Sequence, residues 1–154
     1  MTYQFTTITQ AQVEMIAFHW HYDGIYSFYD MESDPEDLME FTDPNARGNV
    51  FAVTSDDALT GFLSIEQSES NTMEIGLGMR PDLTGKGLGT DFLAQCLAFI
   101  QTTFSPERIT LAVATFNQRA IKTYRKIGFV DRGTFMQATN GDTYEFVKME
   151  YLNQ

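Results

Sequence analysis

Three glycines at 85, 87 and 89, set among Thr84, Lys86, Leu88 and Thr90, carry the clearest chemistry in this sequence. Glycine adopts left-handed backbone without strain and lets a ligand approach main-chain N–H groups, and a helix N-terminus adds partial positive charge. A glycine turn opening into a helix is therefore an anion site, suited to a phosphate or pyrophosphate. Here the turn follows an apolar run from Met73 to Met79, stopped by Arg80-Pro81, and precedes an amphipathic run from Asp91 to Thr103. A Walker A loop does not fit, because Lys86 is followed by Gly87 instead of Ser or Thr. A dinucleotide fingerprint does not fit either, because Thr90 stands where its third glycine belongs.

A second segment, FNQRAIKTYRKIGF from Phe116, lies at a fixed distance downstream. Asn117 and Tyr124 are seven residues apart in it, about two helical turns, so both can face one gap. Together the two segments resemble the GNAT superfamily of acyl-CoA N-acyltransferases. Its pyrophosphate loop, Gln or Arg, two residues, Gly, one residue, Gly or Ala, is matched by Thr84, Gly85, Lys86, Gly87, Leu88 and Gly89, with Thr84 departing from the usual Gln or Arg. Its next helix is matched by Asn117, Ala120, Tyr124, Gly128 and Phe129. The resemblance spans Met73 to Phe129.

The resemblance implies acetyl-CoA as cosubstrate, with no metal. It implies a sheet that splays between the strand ending at Met79 and the strand ending at Ala114, with the pantetheine arm in the gap, bonded to the main chain of Leu77 and Met79. The cradle from Gly85 to Thr90 would hold the phosphates, with Lys86 assisting. Asn117 would offer its amide to the pantetheine. Tyr124 would protonate the departing sulfur; a free thiol has a pKa of about 8.5 and a phenol about 10, a small mismatch. A strand carboxylate acting through water is frequent in this family, which nominates Glu74 as general base; a solvated edge Glu is the alternative. Arg119 and Arg125 read as surface charge. Acceptor contacts fall in the aromatic segment WHYDGIYSFYDM, on Trp20, Tyr22, Tyr26 and Tyr29, which could equally be a loop tucking rings over the sheet.

The activity so implied is direct transfer of an acetyl group to a primary amine, since no cysteine is placed to form an acyl-enzyme. A non-catalytic acyl-CoA-binding regulatory module is the rival, against which Tyr124 weighs, because binding alone does not require that phenol.

The elements that must position these residues follow from pattern. Gln4 to Ile8 reads as a strand, and Thr9 as the N-cap of a helix to about Trp20 with Val13, Ile16, Ala17 and Trp20 toward the core. Ser33-Asp34-Pro35-Glu36 combines a capping box with proline in the first turn of a short acidic helix to about Phe41. Asn49 to Ser55 and Thr60 to Gln67 form a hairpin about Asp56 to Leu59, and a polar turn at residues 68–71 leads to the central strand. In that strand Met73, Ile75, Leu77 and Met79 share one face while Glu74, Gly76 and Gly78 share the other, leaving a groove that Gly78 keeps clear. Arg108 to Ala114 is a buried strand, Asn117 to Ile127 a helix closed by Gly128, and Asn140-Gly141 the turn of a last hairpin. This order predicts an α/β fold: a single domain over residues 1–154 with a central mixed sheet and helices on both faces.

The 154 residues, 43% hydrophobic, suffice for one core. No apolar run approaches membrane-spanning length and no basic-then-apolar segment opens the chain, so a cytoplasmic protein without membrane contact is expected, as a monomer or homodimer. The lone Cys96 shares its helical face with Phe92, Leu93 and Ile100, as a packing residue would. His19 and His21 are too few for a metal site. Residues 1–46 hold nine carboxylates and no Lys or Arg, whereas residues 47–154 hold ten basic and twelve acidic side chains. Such a surface repels nucleic acid and favours a cationic small-molecule amine, which Asp23, Asp30, Glu32, Asp34, Glu36 and Asp37 would draw in and the interleaved rings would hold.

Overall fold

A computed structural model of the chain describes residues 2–68 and 71–152, so the turn expected at residues 68–71 lies partly outside the described residues. The elements run β1 (Gln4–Thr7), α1 (Gln10–His19), α2 (Pro35–Thr42), β2 (Asn49–Ser55), β3 (Ala58–Gln67), β4 (Thr72–Met79), α3 (Gly89–Phe104), β5 (Arg108–Ala114), α4 (Gln118–Ile127), β6 (Val130–Thr139) and β7 (Asp142–Leu152). The strands form one seven-stranded sheet in the order β1-β2-β3-β4-β5-β7-β6. It is mixed: β4 and β5 pair in parallel and every other neighbouring pair is antiparallel.

Alternation along the strands divides the core into two layers. Val53, Leu63, Ile65, Ile75, Ile109 and Leu111 pack with Phe92, Leu93, Leu97 and Ile100 of α3 and Ile121 of α4. Val50 and Ala52, on the opposite face, pack with Val13, Ile16, Ala17 and Trp20 of the α1 region and with Phe41 of α2. The fold class and the core positions of the first helix are as expected.

Local signals explain the boundaries. Thr9 caps α1 through a full capping box with Gln12. Both hairpin turns place two residues at positive φ, Asp56 and Asp57 in one and Asn140 and Gly141 in the other, the twist that two-residue hairpins favour. Gly128 ends α4 at φ 125.

Three expectations need correction. The cap of α2 is Asp34, whose carboxylate accepts from the N–H groups of Glu36 and Asp37, while the Ser33 hydroxyl donates to the Ser27 carbonyl instead. A carboxylate one residue closer to Pro35 outcompetes the serine. The segment after α1 is not open loop: Gly24–Tyr29 and Met31–Ser33 are 3-10 helices. Finally, α3 starts at Gly89, inside the glycine segment, so the cradle and the helix N-terminus are one structure.

Candidate active site

The β4–β5 ladder is short. It pairs Thr72, Met73 and Glu74 with Arg108, Ile109 and Thr110 and then stops, so the second halves of the two strands diverge. The gap is a cavity of about 440 Å³ between Ile75–Met79 on one side and Leu111–Val113 on the other. A second cavity of about 210 Å³ leads to Gly85, Gly87, Gly89 and Thr90. Leu77, Met79, Thr84, Asn117, Arg119, Ala120 and Tyr124 line both, so the two form a continuous path from glycine loop to sheet centre.

Backbone geometry makes that path receptive. The Arg80 N–H donates to the Thr60 carbonyl at 2.8 Å; strand alternation then turns the peptide groups of Leu77 and Met79 away from β3 and into the gap. Gly85 and Gly87 stand at φ 73 and 77. No side chain at the N-cap position, Leu88, closes the first turn of α3, which leaves its N–H groups and partial positive charge for an anion. A pantetheine-linked pyrophosphate fits this set of donors: a sheet edge for the amides and an uncapped helix end for the phosphates.

Most of the expected cofactor residues meet here, and some do not. Thr84, Gly85, Gly87, Gly89, Thr90, Leu77, Met79 and Asn117 line the path. Lys86 is exposed and lines neither cavity, because the left-handed glycines on both sides turn it outward. Leu88 packs against the core under α3 instead. Arg119, expected as surface charge, lies in the wall between the cavities, with Nη1 3.3 Å from where a Cβ on Gly85 would stand and its guanidinium 4.2 Å over the Tyr26 ring. It sits at the second position of α4, which aims it back over the helix N-terminus, a cue present in the sequence. Arg125 is indeed peripheral, bonded to Asp131.

Asn117 and Tyr124 both reach the gap, as their spacing required. Asn117 caps α4 by accepting from the Ala120 N–H, and its amide donates to the Tyr29 hydroxyl at 3.2 Å. The Tyr124 ring packs on Phe129, and its hydroxyl makes no hydrogen bond among the described residues. Burial, with Tyr29 and Cys96 nearby, raises its pKa well above the usual phenol value. The phenol therefore keeps its proton at any physiological pH, and its mismatch with a thiol is wider than free values imply. Cys96 is buried, and desolvation pushes its thiol up to about 12, consistent with packing.

Trp20, Tyr22, Tyr26 and Tyr29 all line the larger cavity, with Phe28 and Phe62. Two of the hydroxyls are engaged: that of Tyr22 donates to the Met79 carbonyl at 2.7 Å and that of Tyr29 accepts from Asn117, while the Tyr26 ring carries the Arg119 guanidinium on its face. Of the six carboxylates expected at the acceptor mouth, Asp30 and Asp37 line the cavity. Asp30 accepts from the Tyr22 N–H and contacts His21, holding that imidazole above its usual pKa. Asp37 is drawn upward by burial and by its acidic neighbours Asp34, Glu40 and Glu36.

Glu74 is not in the cavity wall. It lies where β4 still pairs, opposite Glu66 and Thr110, short of the first cavity-lining residue of β4. The groove over Gly78 is also not open: a Cβ there would stand 2.6 Å from the Phe62 ring, so the missing side chain makes room for a neighbouring strand's aromatic, which in turn lines the cavity. Among the described residues no helix is long and apolar enough to cross a membrane, and no cluster of His, Cys, Asp and Glu could hold a metal ion.

Residues 5–130 match the family model of the acetyltransferase (GNAT) domain. The chain belongs to this family. No protein of curated function matches it in sequence. Among solved structures it is similar to a chimera of the spermidine N-acetyltransferase SpeG from Vibrio cholerae and hSSAT, at 17% identity over 97% of this chain and 95% of that one, with a TM-score of 0.73. It is also similar to a GNAT-family acetyltransferase from Bacillus anthracis, at 16% identity over 97% of this chain and 94% of that one, TM-score 0.73. At such identities the likeness to these structures is one of fold.

Proposed function

We propose that the protein is an N-acetyltransferase that moves the acetyl group of acetyl-CoA directly to a primary amine on a cationic small molecule. One observation carries this: an uncapped, glycine-lined helix N-terminus and a sheet edge without a partner strand open onto one path that ends at a half-buried tyrosine whose hydroxyl has no hydrogen-bond partner among the described residues. An acyl-CoA-binding module would need the first two features and not the third.

Bound acetyl-CoA would supply an activated thioester. The residues of the chain do the rest. The N–H groups from Gly85 to Thr90 and the guanidinium of Arg119 bind the phosphates. The peptide groups of Leu77 and Met79, and the Asn117 amide, orient the arm. Tyr124 holds a proton at Oη for the sulfur that leaves as the amine nitrogen takes the carbonyl carbon. The proton lost by the amine has two routes: to Asp37 at the cavity rim, or through water to Glu74, which shares the strand face of Gly76 and Gly78. The aromatic wall of Trp20, Tyr22, Tyr26 and Tyr29 excludes water from the acceptor's carbon chain.

The test is thiol release from acetyl-CoA across polyamines, aminoglycosides, amino acids and basic peptides, at low and high salt. Salt-sensitive turnover with polycations supports the whole proposal. Coenzyme A binding without turnover of any amine would favour the regulatory module.

A further inference from the structure

A single carboxylate outside the cavity ties together two segments that line its acceptor side. Asp34 Oδ1 accepts from the N–H groups of Glu36 and Asp37 at 2.9 and 3.2 Å and so caps α2. Its Oδ2 reaches across 106 residues of chain to accept from the Asn140 N–H at 2.9 Å and the Thr139 hydroxyl at 3.0 Å. Asn140, at the tip of the β6–β7 hairpin, returns the contact by donating its side-chain amide to the Phe28 carbonyl at 2.8 Å. Phe28, Asp37, Thr139 and Asn140 all line the larger cavity. The hairpin tip and the segment that carries the aromatic wall are thus buckled together across the acceptor side of the cavity.

A short surface helix does not need this arrangement. One carboxylate oxygen suffices for an N-cap, yet here both are used, and the second goes to the tip of a hairpin whose edge strand β6 is exposed along nearly its whole length, beyond the point where Tyr144 and Phe146 of β7 pack on Phe28. We propose that Asp34 is a positioning residue for acceptor recognition: by clasping the Thr139–Asn140 turn to the 3-10 segment it fixes the width of the acceptor cavity and the placement of Phe28 and Asp37 within it. The function of the cavity rests on the acetyltransferase reading above; the clasp itself does not.

Two substitutions break the two halves of this buckle separately and spare the fold. Asp34→Asn retains a good N-cap for α2 but has only one oxygen, which cannot accept from α2 and from Asn140 at once. Asn140→Gly suits the φ of 52 at that turn position and removes the side-chain amide bond to Phe28 and the Oδ1 acceptor of the Thr139 hydroxyl, leaving the Asp34 contacts in place. Trp20, the one tryptophan of the sequence, lines the same cavity and is 5% exposed, so it reports on opening without any ligand. Acrylamide quenching of Trp20 should rise about twofold or more in both variants, the mark of local opening, while circular dichroism stays unchanged. With spermidine as the probe amine, kcat/KM should fall about tenfold, the scale of one hydrogen bond to a charged group, while the acetyl-CoA Kd holds. Wild-type quenching in Asp34→Asn overturns the proposal whatever Asn140→Gly does, as does an acetyl-CoA Kd that weakens by the same factor by which the spermidine kcat/KM falls. Absence of turnover with any amine would count against the acetyltransferase reading alone, because the quenching measurement involves no substrate.

Discussion

The cofactor side and the acceptor side of this cavity are built from different parts of the chain's chemistry. On the proposed cofactor side a ligand would meet mostly main chain: the N–H groups at the start of α3, the peptide edge of β4 beyond Glu74, and left-handed glycines that allow close approach. On the proposed acceptor side it would meet side chains: the rings of the 3-10 segment, the rim carboxylates, and a hairpin tip held by Asp34. A backbone site tolerates few residue types, because positive φ and an open helix end demand glycine and exclude a capping side chain. A side-chain site can be made many ways. The first can serve one invariant ligand, and the second can diverge with the acceptor.

The sharpest way to break this comparison is at the side chain to which the proposal gives the chemical step. Tyr124→Phe should lower turnover by about 10² to 10⁴, the usual contribution of a positioned proton donor, with little change in coenzyme A affinity. Its hydroxyl has no hydrogen bond among the described residues to lose, so stability should hold. Turnover equal to wild type in a steady-state assay would assign the proton to water and leave the cofactor side purely a backbone site.

Next in size is the backbone cradle itself. Gly87 stands at φ 77, and a Cβ there would meet nothing within 4 Å, so Gly87→Val is strained by conformation and not by collision. A left-handed non-glycine residue costs about 1–2 kcal/mol, and the loop can escape by reshaping, which should weaken coenzyme A binding about tenfold or more in calorimetry. Gly89→Ala is the control: its Cβ would meet only the Thr123 methyl at 4.0 Å and its φ is not left-handed, so the loop's own conformation survives. Equal losses in the two variants would mean that crowding of the ligand, and not loop conformation, is what glycine prevents.

The same contrast decides what is legible in the sequence. Gly85, Gly87 and Gly89, Asn117 and Tyr124 are readable because backbone requirements and helical spacing restrict residue type, and the structure brings them together. The two hairpin turns are readable for the same reason. Arg119 does not stand out as part of the site, because a surface arginine and a wall arginine look alike until α4 is placed against the glycine loop. Lys86 belongs to the cradle by proximity in sequence alone, and the alternating left-handed glycines turn it outward. Asp34 looks like one of six solvating acids; its partners Thr139 and Asn140 lie more than 100 residues away, and a contact at that separation leaves no periodicity to detect. Gly78 is legible as a gap and illegible as to its occupant, since Phe62 belongs to the neighbouring strand.

Titration should separate the two sides at opposite ends of the pH scale. Near the cofactor side, desolvation of the buried Cys96 and of the half-buried Tyr124 raises their folded pKa values, that of Cys96 from 9.0 to about 12. The unfolded chain releases these protons first, so stability is complete below about 9 and declines as pH rises toward the folded values, at a slope of roughly 1.4 kcal/mol per pH unit for each group. Asp34 has the opposite sign: hydrogen bonds from Asn140 and Asp37 lower its folded pKa, so the stability it contributes is present above its unfolded value and is lost as pH falls through the folded one. Chemical denaturation at several pH values should show Cys96→Ala flattening the alkaline limb and Asp34→Asn flattening the acid limb. An alkaline limb unchanged by Cys96→Ala would show that the tyrosines alone carry it.

The smallest expected effect is at the acceptor rim, where the proton route remains to be divided between Asp37 and Glu74. Asp37 lines the cavity and its carboxylate takes no hydrogen bond among the described residues; burial and neighbouring acids move its pKa up toward the range in which a base is useful. Glu74 lies deeper along β4, in the paired part of the sheet, and can reach the cavity only through water. If Asp37 both attracts the cation and takes its proton, Asp37→Asn should raise the KM for a polyamine severalfold, remove much of its salt dependence, and shift the acid limb of kcat/KM. Because the site is partly exposed and the charge is screened, the attraction alone amounts to only about 0.2–1 kcal/mol, or a factor of roughly 1.4 to five. Glu74→Gln should then leave the acid limb where it is. The reverse outcome, with the limb moved by Glu74→Gln and not by Asp37→Asn, would place the base on the central strand, and the backbone side of the cavity would then supply both ends of the proton transfer.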